Sequence, residues 1–290
     1  MTVKAYAKIN LTLEVFGKRS DGYHALRSVV MPISLADTLE IEVTNDGTIT
    51  SDTGYADDLC VRAAKVLRGA LDIGPEVGAR VRVTKRIPAG GGLGGGSADA
   101  AATLIAANEL WGLGKSREEL AEIGAQVGSD VPALVLGGPV LMEGRGEKVS
   151  RLGVGHVTGD RSPGGLDLVL ANPGVFSSTP EVYRHCHPRL PSEGTIVYNM
   201  CQALERGDLK GIAAGLMNDL QEPAVKLHPE IRDALEALKA AGAEGVLMSG
   251  SGSTVFGLVS SESRGREMAA ALAGKGLWAC AVKMLDCPVV

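Results

Sequence analysis

Aromatic side chains are scarce, at 3 % of this 290-residue chain, so a ring that falls beside a candidate site carries more information here than in an ordinary sequence. Basic charge is not in excess either. Against 34 Asp and Glu stand 29 Lys and Arg, a formal net charge of −5; that leaves no surface able to neutralise a phosphate backbone, and nucleic acid is excluded as an expected partner. No apolar run reaches the roughly 18 residues a membrane-spanning helix needs, and no apolar stretch follows a basic start at the N-terminus. Neither a membrane span nor a signal peptide is therefore expected, and a cytoplasmic location is. The five cysteines, Cys60, Cys186, Cys201, Cys280 and Cys287, are odd in number and never spaced C-x-x-C, which argues for inert thiols rather than a disulfide framework or a redox motif. The run His185-Cys186-His187 suggests a metal, but adjacent residues point in different directions on a helix or strand, so no metal site is assigned to it.

What the chain does have is enough apolar material, 45 % of residues, for two compact domains with a core each, although one large domain also fits the length. Residues 3–16 and 38–44 are rich in Ile, Leu, Thr and Val and read as strands. Residues 57–71 carry Leu59, Ala63, Val66 and Leu67 at helical spacing and stop before a turn at Asp72-Ile73-Gly74-Pro75. A strand over 79–87, then Pro88, a glycine-dense loop and a helix over 97–111 follow in order. Ser116 opens another helix that closes near Gly128, with Glu119 completing a capping box. Residues 141–152 read as strand and turn, and the polar segment 153–165 as a linker, which sets the expected units at 1–153 and 154–290. Beyond it come a strand over 166–171 and helical stretches over 179–184, 195–205, 209–220 and 229–241. Strands over 245–248 and 254–258, a helix over 262–272 and a strand over 279–285 complete an α+β sandwich of helices on an antiparallel sheet.

The glycine loop is the strongest local signal. Residues 88–100 read Pro-Ala-Gly-Gly-Gly-Leu-Gly-Gly-Gly-Ser-Ala-Asp-Ala, with six glycines in the seven positions 90–96. Glycine buries no side chain and loses the most entropy on ordering, so such a cluster needs a reason, usually positive φ or backbone close to a ligand. At a helix N-terminus, orphan N–H groups and the positive end of the helix dipole converge on an anion, and a polyphosphate is the expected guest. A flexible linker would not ordinarily be framed so tightly by a strand and a helix. The Gly-Lys-Ser/Thr ending of a Walker A loop is absent. A dinucleotide fingerprint forced as Gly90-x-Gly92-x-x-Gly95 fails in context, because Glu118 and Glu119 begin a helix rather than end a strand.

Other candidates have plain structural readings beside the functional ones. Lys8, inside an apolar strand, is either a solvated edge residue or a functional cation. Asp130, in Gly128-Ser129-Asp130-Val131-Pro132, is a turn or cap aspartate or a catalytic carboxylate. Asp21-Gly22-Tyr23-His24 reads as a surface turn, and Phe176, after Asn172-Pro173-Gly174, as a core residue. Ser249-Gly250-Ser251-Gly252-Ser253 is a hairpin turn or a second backbone loop approaching a ligand.

Taken together, Ala5-Tyr6-Ala7-Lys8-Ile9-Asn10-Leu11, Asp21-Gly22-Tyr23-His24, Ser34-Leu35-Ala36-Asp37, the glycine loop, Gly128-Ser129-Asp130-Val131-Pro132 and Gly250-Ser251-Gly252-Ser253 resemble, in order and over nearly the whole chain, the GHMP kinase superfamily. The glycine loop and the last motif are common to the superfamily. Asp-Gly-Tyr-His and Gly-Ser-Asp-Val-Pro are more selective, and resemble the branch that phosphorylates a cytidine diphosphate-linked methylerythritol in non-mevalonate isoprenoid synthesis. The resemblance implies a two-domain α/β (α+β) fold, with an N-terminal half like ribosomal protein S5 domain 2 and a C-terminal ferredoxin-like α/β sandwich, and a site in the cleft between them. It implies ATP and Mg²⁺ as cofactors, a monomer or homodimer, and no membrane partner. Lys8 and Asp130 would be catalytic. Pro88, Ala89, Gly90, Gly91, Gly92, Leu93, Gly94, Gly95, Gly96 and Ser97 would bind ATP, with Ser97 meeting the metal. Tyr23 and Phe176 would stack the cytosine, His24 would read its edge, and Asn10 would touch the substrate's hydroxyls. Two departures stand out: Asp58-Leu59 where the family more often has Asn-Leu beside the adenine, and Ala98 where some members carry a second serine. The alternatives are another GHMP kinase acting on mevalonate, homoserine or a sugar, a catalytically inactive nucleotide-binding regulator and, more remotely, an NAD-binding oxidoreductase.

Overall fold

A computed structural model describes residues 1–153, 166–190 and 194–286; of the expected linker only residue 153 is among them, and Cys287 is not. The chain opens with two long antiparallel strands, β1 (Thr2–Lys18) and β2 (His24–Thr44), joined through Asp21 and Gly22, the latter at φ 85°. Next come β3 (Ile49–Ser51), α1 (Leu59–Ala70), β4 (Gly78–Thr84), α2 (Gly95–Leu110), α3 (Arg117–Gly124) and α4 (Val131–Leu136). The hairpin β5 (Val140–Gly144) and β6 (Lys148–Arg151) closes the first half. In the second half lie β7 (Asp167–Asn172), α5 (Thr179–Arg184), α6 (Thr195–Glu205), α7 (Leu209–Gly215), β8 (Met217–Asn218), α8 (Gln221–Leu227) and α9 (Glu230–Ala240). Last come β9 (Val246–Met248), β10 (Val255–Val259), α10 (Glu262–Ala273) and β11 (Trp278–Lys283).

The first sheet runs β3-β4-β2-β1-β8, with β5 and β6 branching from β2. Strand β8 comes from the second half and pairs in parallel with β1 at Thr12 and Leu13, so the two halves share a sheet. The second sheet runs β11-β7-β10-β9, all antiparallel. Counted among its own strands that order is 4-1-3-2, and with helices between the first and second and between the third and fourth it is the β-α-β-β-α-β arrangement of a ferredoxin-like sandwich. The larger of two core clusters runs from the first sheet (Ile9, Leu11, Leu39, Ile41 and Leu104) onto one face of the second (Leu168, Leu170, Phe256 and Leu258), and the smaller holds that sheet's other face (Val169, Met248 and Val255) with Leu235 and Leu272. Each such side chain contributes about 1.5–3 kcal/mol on burial.

The capping box at α3 is as expected, Ser116 and Glu119 each bonding the other's backbone N–H. Three elements differ from the sequence reading. Strand β2 begins at His24 rather than near residue 38, carrying Pro32 in its middle; Pro32 sits opposite Lys8 where the β1–β2 register shifts, so its missing N–H interrupts no regular ladder. The apolar run 131–136, for which the sequence reading gives no element, is the helix α4. The stretch 209–220 is not one helix: α7 stops at Gly215 because residues 217–218 are claimed by β1, and the chain re-enters a helix at Gln221.

Candidate active site

Glycine φ angles explain the loop. Gly90, Gly92 and Gly94 adopt φ of 63°, 75° and 70°, a conformation that L side chains avoid and that turns successive N–H groups toward one concavity. Helix α2 starts at Gly95 behind an N-cap, Gly94, that makes no side-chain capping bond. Its first N–H groups are thus left for another acceptor, with the positive end of the helix dipole behind them. Only glycine fits at Gly92 for a second reason: a methyl there would lie 2.1 Å from the Ser249 carbonyl oxygen. Ser249-Gly250-Ser251-Gly252-Ser253 is thus both the hairpin turn between β9 and β10 and a backbone partner of the first loop. Ser249 Oγ donates to the Gly92 carbonyl at 3.0 Å, Thr254 N to Gly91 at 3.1 Å, and Asn218 Nδ2 holds the turn from behind through the Met248 and Gly250 carbonyls, each at 2.8 Å.

Lys8 is no edge residue. It lies on an interior strand, 5 % exposed, and its N–H donates to the Leu93 carbonyl at 3.0 Å, so the glycine loop stands where a neighbouring strand would. Its ammonium is 3.5 Å from Asp130 Oδ2. Asp130 occupies the N-cap position of α4 but makes no side-chain capping bond, so its carboxylate is directed to Lys8 rather than spent on the helix. A methyl on Gly94 would lie 3.2 Å from Lys8 Cε and 3.6 Å from Asp130 Oδ2, and one on Gly128 would lie 3.9 Å from Ser97 Oγ. The loop, its helix start, the lysine and the carboxylate therefore form one cluster. They line a cleft of about 590 Å³.

Beneath the loop is a charged cluster that sequence reasoning missed. Lys85 Nζ bridges Asp37 Oδ2 at 2.5 Å and Asp99 Oδ2 at 2.6 Å. Asp37, fully buried, also accepts the N–H groups of Arg86 and Ile87, which anchors the chain just before the loop. Burial pushes the Asp99 carboxyl up to about 7, Lys85 pulling it down and Asp37 pushing it further up. Asp99 Oδ1 has no hydrogen-bond partner, and the residue lines the cleft. For Lys85 the burial that lowers its pKa is outweighed by the two carboxylates, and the net direction is up. Nearby, Asp58 caps α1 through Cys60 N and Val61 N and accepts the Ser51 and Thr53 hydroxyls. Burial opposes its ionisation, but these bonds win and hold its pKa down.

Of the residues expected to hold the substrate, Asn10 and Phe176 line the cleft, whereas Tyr23 and His24 do not. Asn10 is 4 % exposed and spends its amide on the protein, Oδ1 on Lys8 Nζ and Nδ2 on Ser28 Oγ. His24 is stacked, but on Tyr183, with ring centroids 5.5 Å apart and planes at 24°. Tyr183 lines the cleft, and burial, together with the charge of Asp130, pushes its phenol pKa up. Tyr23 is 54 % exposed beneath the Arg145 guanidinium, 5.2 Å from the ring centroid. Phe176 is not a core residue: it is 71 % exposed and rests on Gly90, where a methyl would lie 2.6 Å from its ring. Among the described residues its ring pairs with neither Tyr23 nor His24. At His185-Cys186-His187, Cys186 is buried and His185 Nδ1 bonds the Glu181 carbonyl in its own helix.

The chain matches the GHMP kinases N terminal domain over residues 58–138 and the GHMP kinases C terminal domain over 200–276. A 4-diphosphocytidyl-2-C-methyl-D-erythritol kinase of Pelotomaculum thermopropionicum is 44 % identical over 276 residues, 93 % of each chain. One from Brevibacillus brevis is 40 % identical over 280 residues, 94 % of this chain and 92 % of that one. A crystal structure of 4-(cytidine 5'-diphospho)-2C-methyl-D-erythritol kinase superposes with a TM-score of 0.79 at 34 % identity, covering 98 % of this chain and 99 % of that one. The mevalonate kinase of Methanococcus jannaschii, at 16 % identity and a TM-score of 0.72 over 99 % and 98 % of the two chains, shares the fold. Two kinase domains, a glycine cradle over a lysine–aspartate pair and relatives this similar along their whole length agree: the chain belongs to the 4-diphosphocytidyl-2-C-methyl-D-erythritol kinase family of the GHMP kinases.

Proposed function

We propose that this protein transfers the γ-phosphoryl group of ATP to the C2 hydroxyl of 4-diphosphocytidyl-2-C-methyl-D-erythritol, with Asp130 as general base and Lys8 as the cation beside the reacting oxygen. The observation that carries the residue roles is the Lys8–Asp130 pair, 3.5 Å apart directly under Gly94. An alcohol at that point meets a carboxylate able to take its proton, an ammonium able to stabilise the oxygen as it attacks phosphorus, and loop amides holding the phosphates in line. The bond between the γ-phosphorus and the ADP oxygen breaks as the new ester bond forms, and the alcohol's proton goes to Asp130. Phosphoryl transfer is mostly positioning and charge stabilisation, so the loop contributes as much as the base.

Mg²⁺ fits this site in one way only. Among the described residues no cluster of three or more His, Cys, Asp or Glu side chains is arranged to cage a metal, but Ser97 Oγ is a hard oxygen donor of the kind that would help hold Mg²⁺ carried on phosphates and water. When bound it neutralises phosphate charge.

For the cytosine we assign Tyr183 rather than Phe176 as the ring working with Tyr23 and His24, because Tyr183 lines the cleft, stacks on His24 and lies within the field of Asp130. Phe176, on Gly90, belongs to the phosphate-loop end. The test is ADP release with the purified cytidyl substrate beside a cytidine-free methylerythritol analogue, mevalonate and homoserine. Turnover confined to the cytidyl substrate is expected; equal turnover on any of the others sinks the proposal.

A further inference from the structure

We infer that Ser28, a residue that none of the motifs contains, is a positioning residue: it fixes the orientation of the Asn10 amide and through it the Lys8 ammonium. The inference rests on the catalytic role proposed for Lys8 and extends it. Ser28 lies on β2 with no exposed surface. Its hydroxyl proton is committed to the Thr12 carbonyl at 2.5 Å. That carbonyl is available because the β1–β2 register shifts between Asn10 and Thr12, and there Val29 N is satisfied at 2.9 Å by the Thr12 hydroxyl instead of a main-chain oxygen.

With its proton used, Ser28 Oγ can only accept from Asn10. Asn10 Nδ2 donates to it at 2.8 Å, which turns Asn10 Oδ1 toward Lys8 Nζ, also at 2.8 Å. The reversed amide would set NH₂ against NH₃⁺, two groups that only donate. Each link thus has one allowed direction, from the Thr12 carbonyl to the ammonium, and Lys8 is left with protons for Asp130 and for the cleft. These bonds are buried, where each is stronger than it would be in water. Asn10 thus spends its oxygen on Lys8 and one amide proton on Ser28, which couples the serine to the lysine.

A double-mutant cycle between Ser28→Ala and Lys8→Met, read in steady-state kinetics, tests this. Ser28→Ala is expected to lower kcat about 10- to 100-fold, the size of one hydrogen bond to a charged group, with KM for either substrate changed less than about threefold. In the Lys8→Met background the same substitution should cost nothing further, and Ser28→Thr, which keeps the hydroxyl, should restore most of kcat. Should Ser28→Ala not fold, Ser28→Cys, similar in shape but a poor acceptor, takes its place in the cycle. Effects that multiply in the double variant, or a kcat that Ser28→Thr does not restore, overturn the relay while leaving Lys8 catalytic. An unchanged kcat for Lys8→Met alone overturns the role of Lys8 itself.

Discussion

Replacing Gly92 by alanine tests the site where its two loops touch. Gly92 has a φ of 75°, and a methyl on it would lie 2.1 Å from the Ser249 carbonyl and 3.0 Å from both N and O of Gly252. The left-handed conformation alone costs an L-residue about 1–2 kcal/mol. The overlap adds more, because the obstacle is main chain and cannot rotate away, so the loops must part by about an ångström. Two hydrogen bonds cross that seam, Ser249 Oγ to Gly92 and Thr254 N to Gly91, and a third, Lys8 N to Leu93, ties the same loop to β1, each worth about 1 kcal/mol net. A loss of about 3–5 kcal/mol is therefore expected in urea unfolding. Gly94 would lift from Lys8 and Asp130 at the same time, and a displacement of about 1 Å is enough to cost about 10²-fold in turnover. Gly276→Ala is the control, with φ of 85° but nothing within 4 Å of the added methyl; it should lose only the conformational 1–2 kcal/mol and keep full activity. If Gly92→Ala proves no less stable than Gly276→Ala and retains its kcat and its KM for ATP, the proposed close contact between the loops is wrong.

Asp130→Asn should lower kcat by about 10²- to 10⁴-fold; unchanged turnover of the folded variant would remove it from its role. Tyr183→Ala should raise KM for the cytidyl substrate by the equivalent of about 1–3 kcal/mol of stacking and leave KM for ATP alone, whereas Phe176→Ala should act on ATP; the opposite ranking would return the cytosine to Phe176. Asp99 carries a pH prediction. A carboxyl whose pKa rises from 3.8 to about 7 on folding binds its proton more tightly in the native state, so stability falls as pH rises through that window and levels off above it. At 1.36 kcal/mol per unit the fall is at most about 4 kcal/mol. Asp99→Asn should flatten the urea midpoint between about pH 4 and 7, and an equally steep slope in the variant would show that this carboxyl is not the source.

Much of the site was legible wherever the chemistry is local. A glycine run between a strand and a helix announces backbone at positive φ facing an anion, and Gly90, Gly92 and Gly94 adopt it. Ser116 with Glu119 is a cap whatever surrounds it. Phe176 and Tyr183 show where local reading ends: both follow the same Asn-Pro-Gly turn, and nothing in their neighbours tells which ring meets His24 and which lies on Gly90. Ser28, Lys85 and Asp99 were passed over for the same reason. A serine in a strand, a lysine at a strand end and an aspartate in an alanine-rich helix are ordinary until strands from distant parts of the chain bring partners to them.

The linear order of residues therefore carried the family, the positive-φ glycine loop at a helix start and the proposal of Lys8 and Asp130 for the chemistry, because glycine conformation, helix ends and short motifs depend on near neighbours alone. Tertiary structure decided the rest. The β1–β2 register shift that frees the Thr12 carbonyl for Ser28, the insertion of β8 beside β1, and the seating of one glycine turn on the other are contacts between segments far apart along the chain. Their geometry follows from how two sheets pack, which no local pattern encodes.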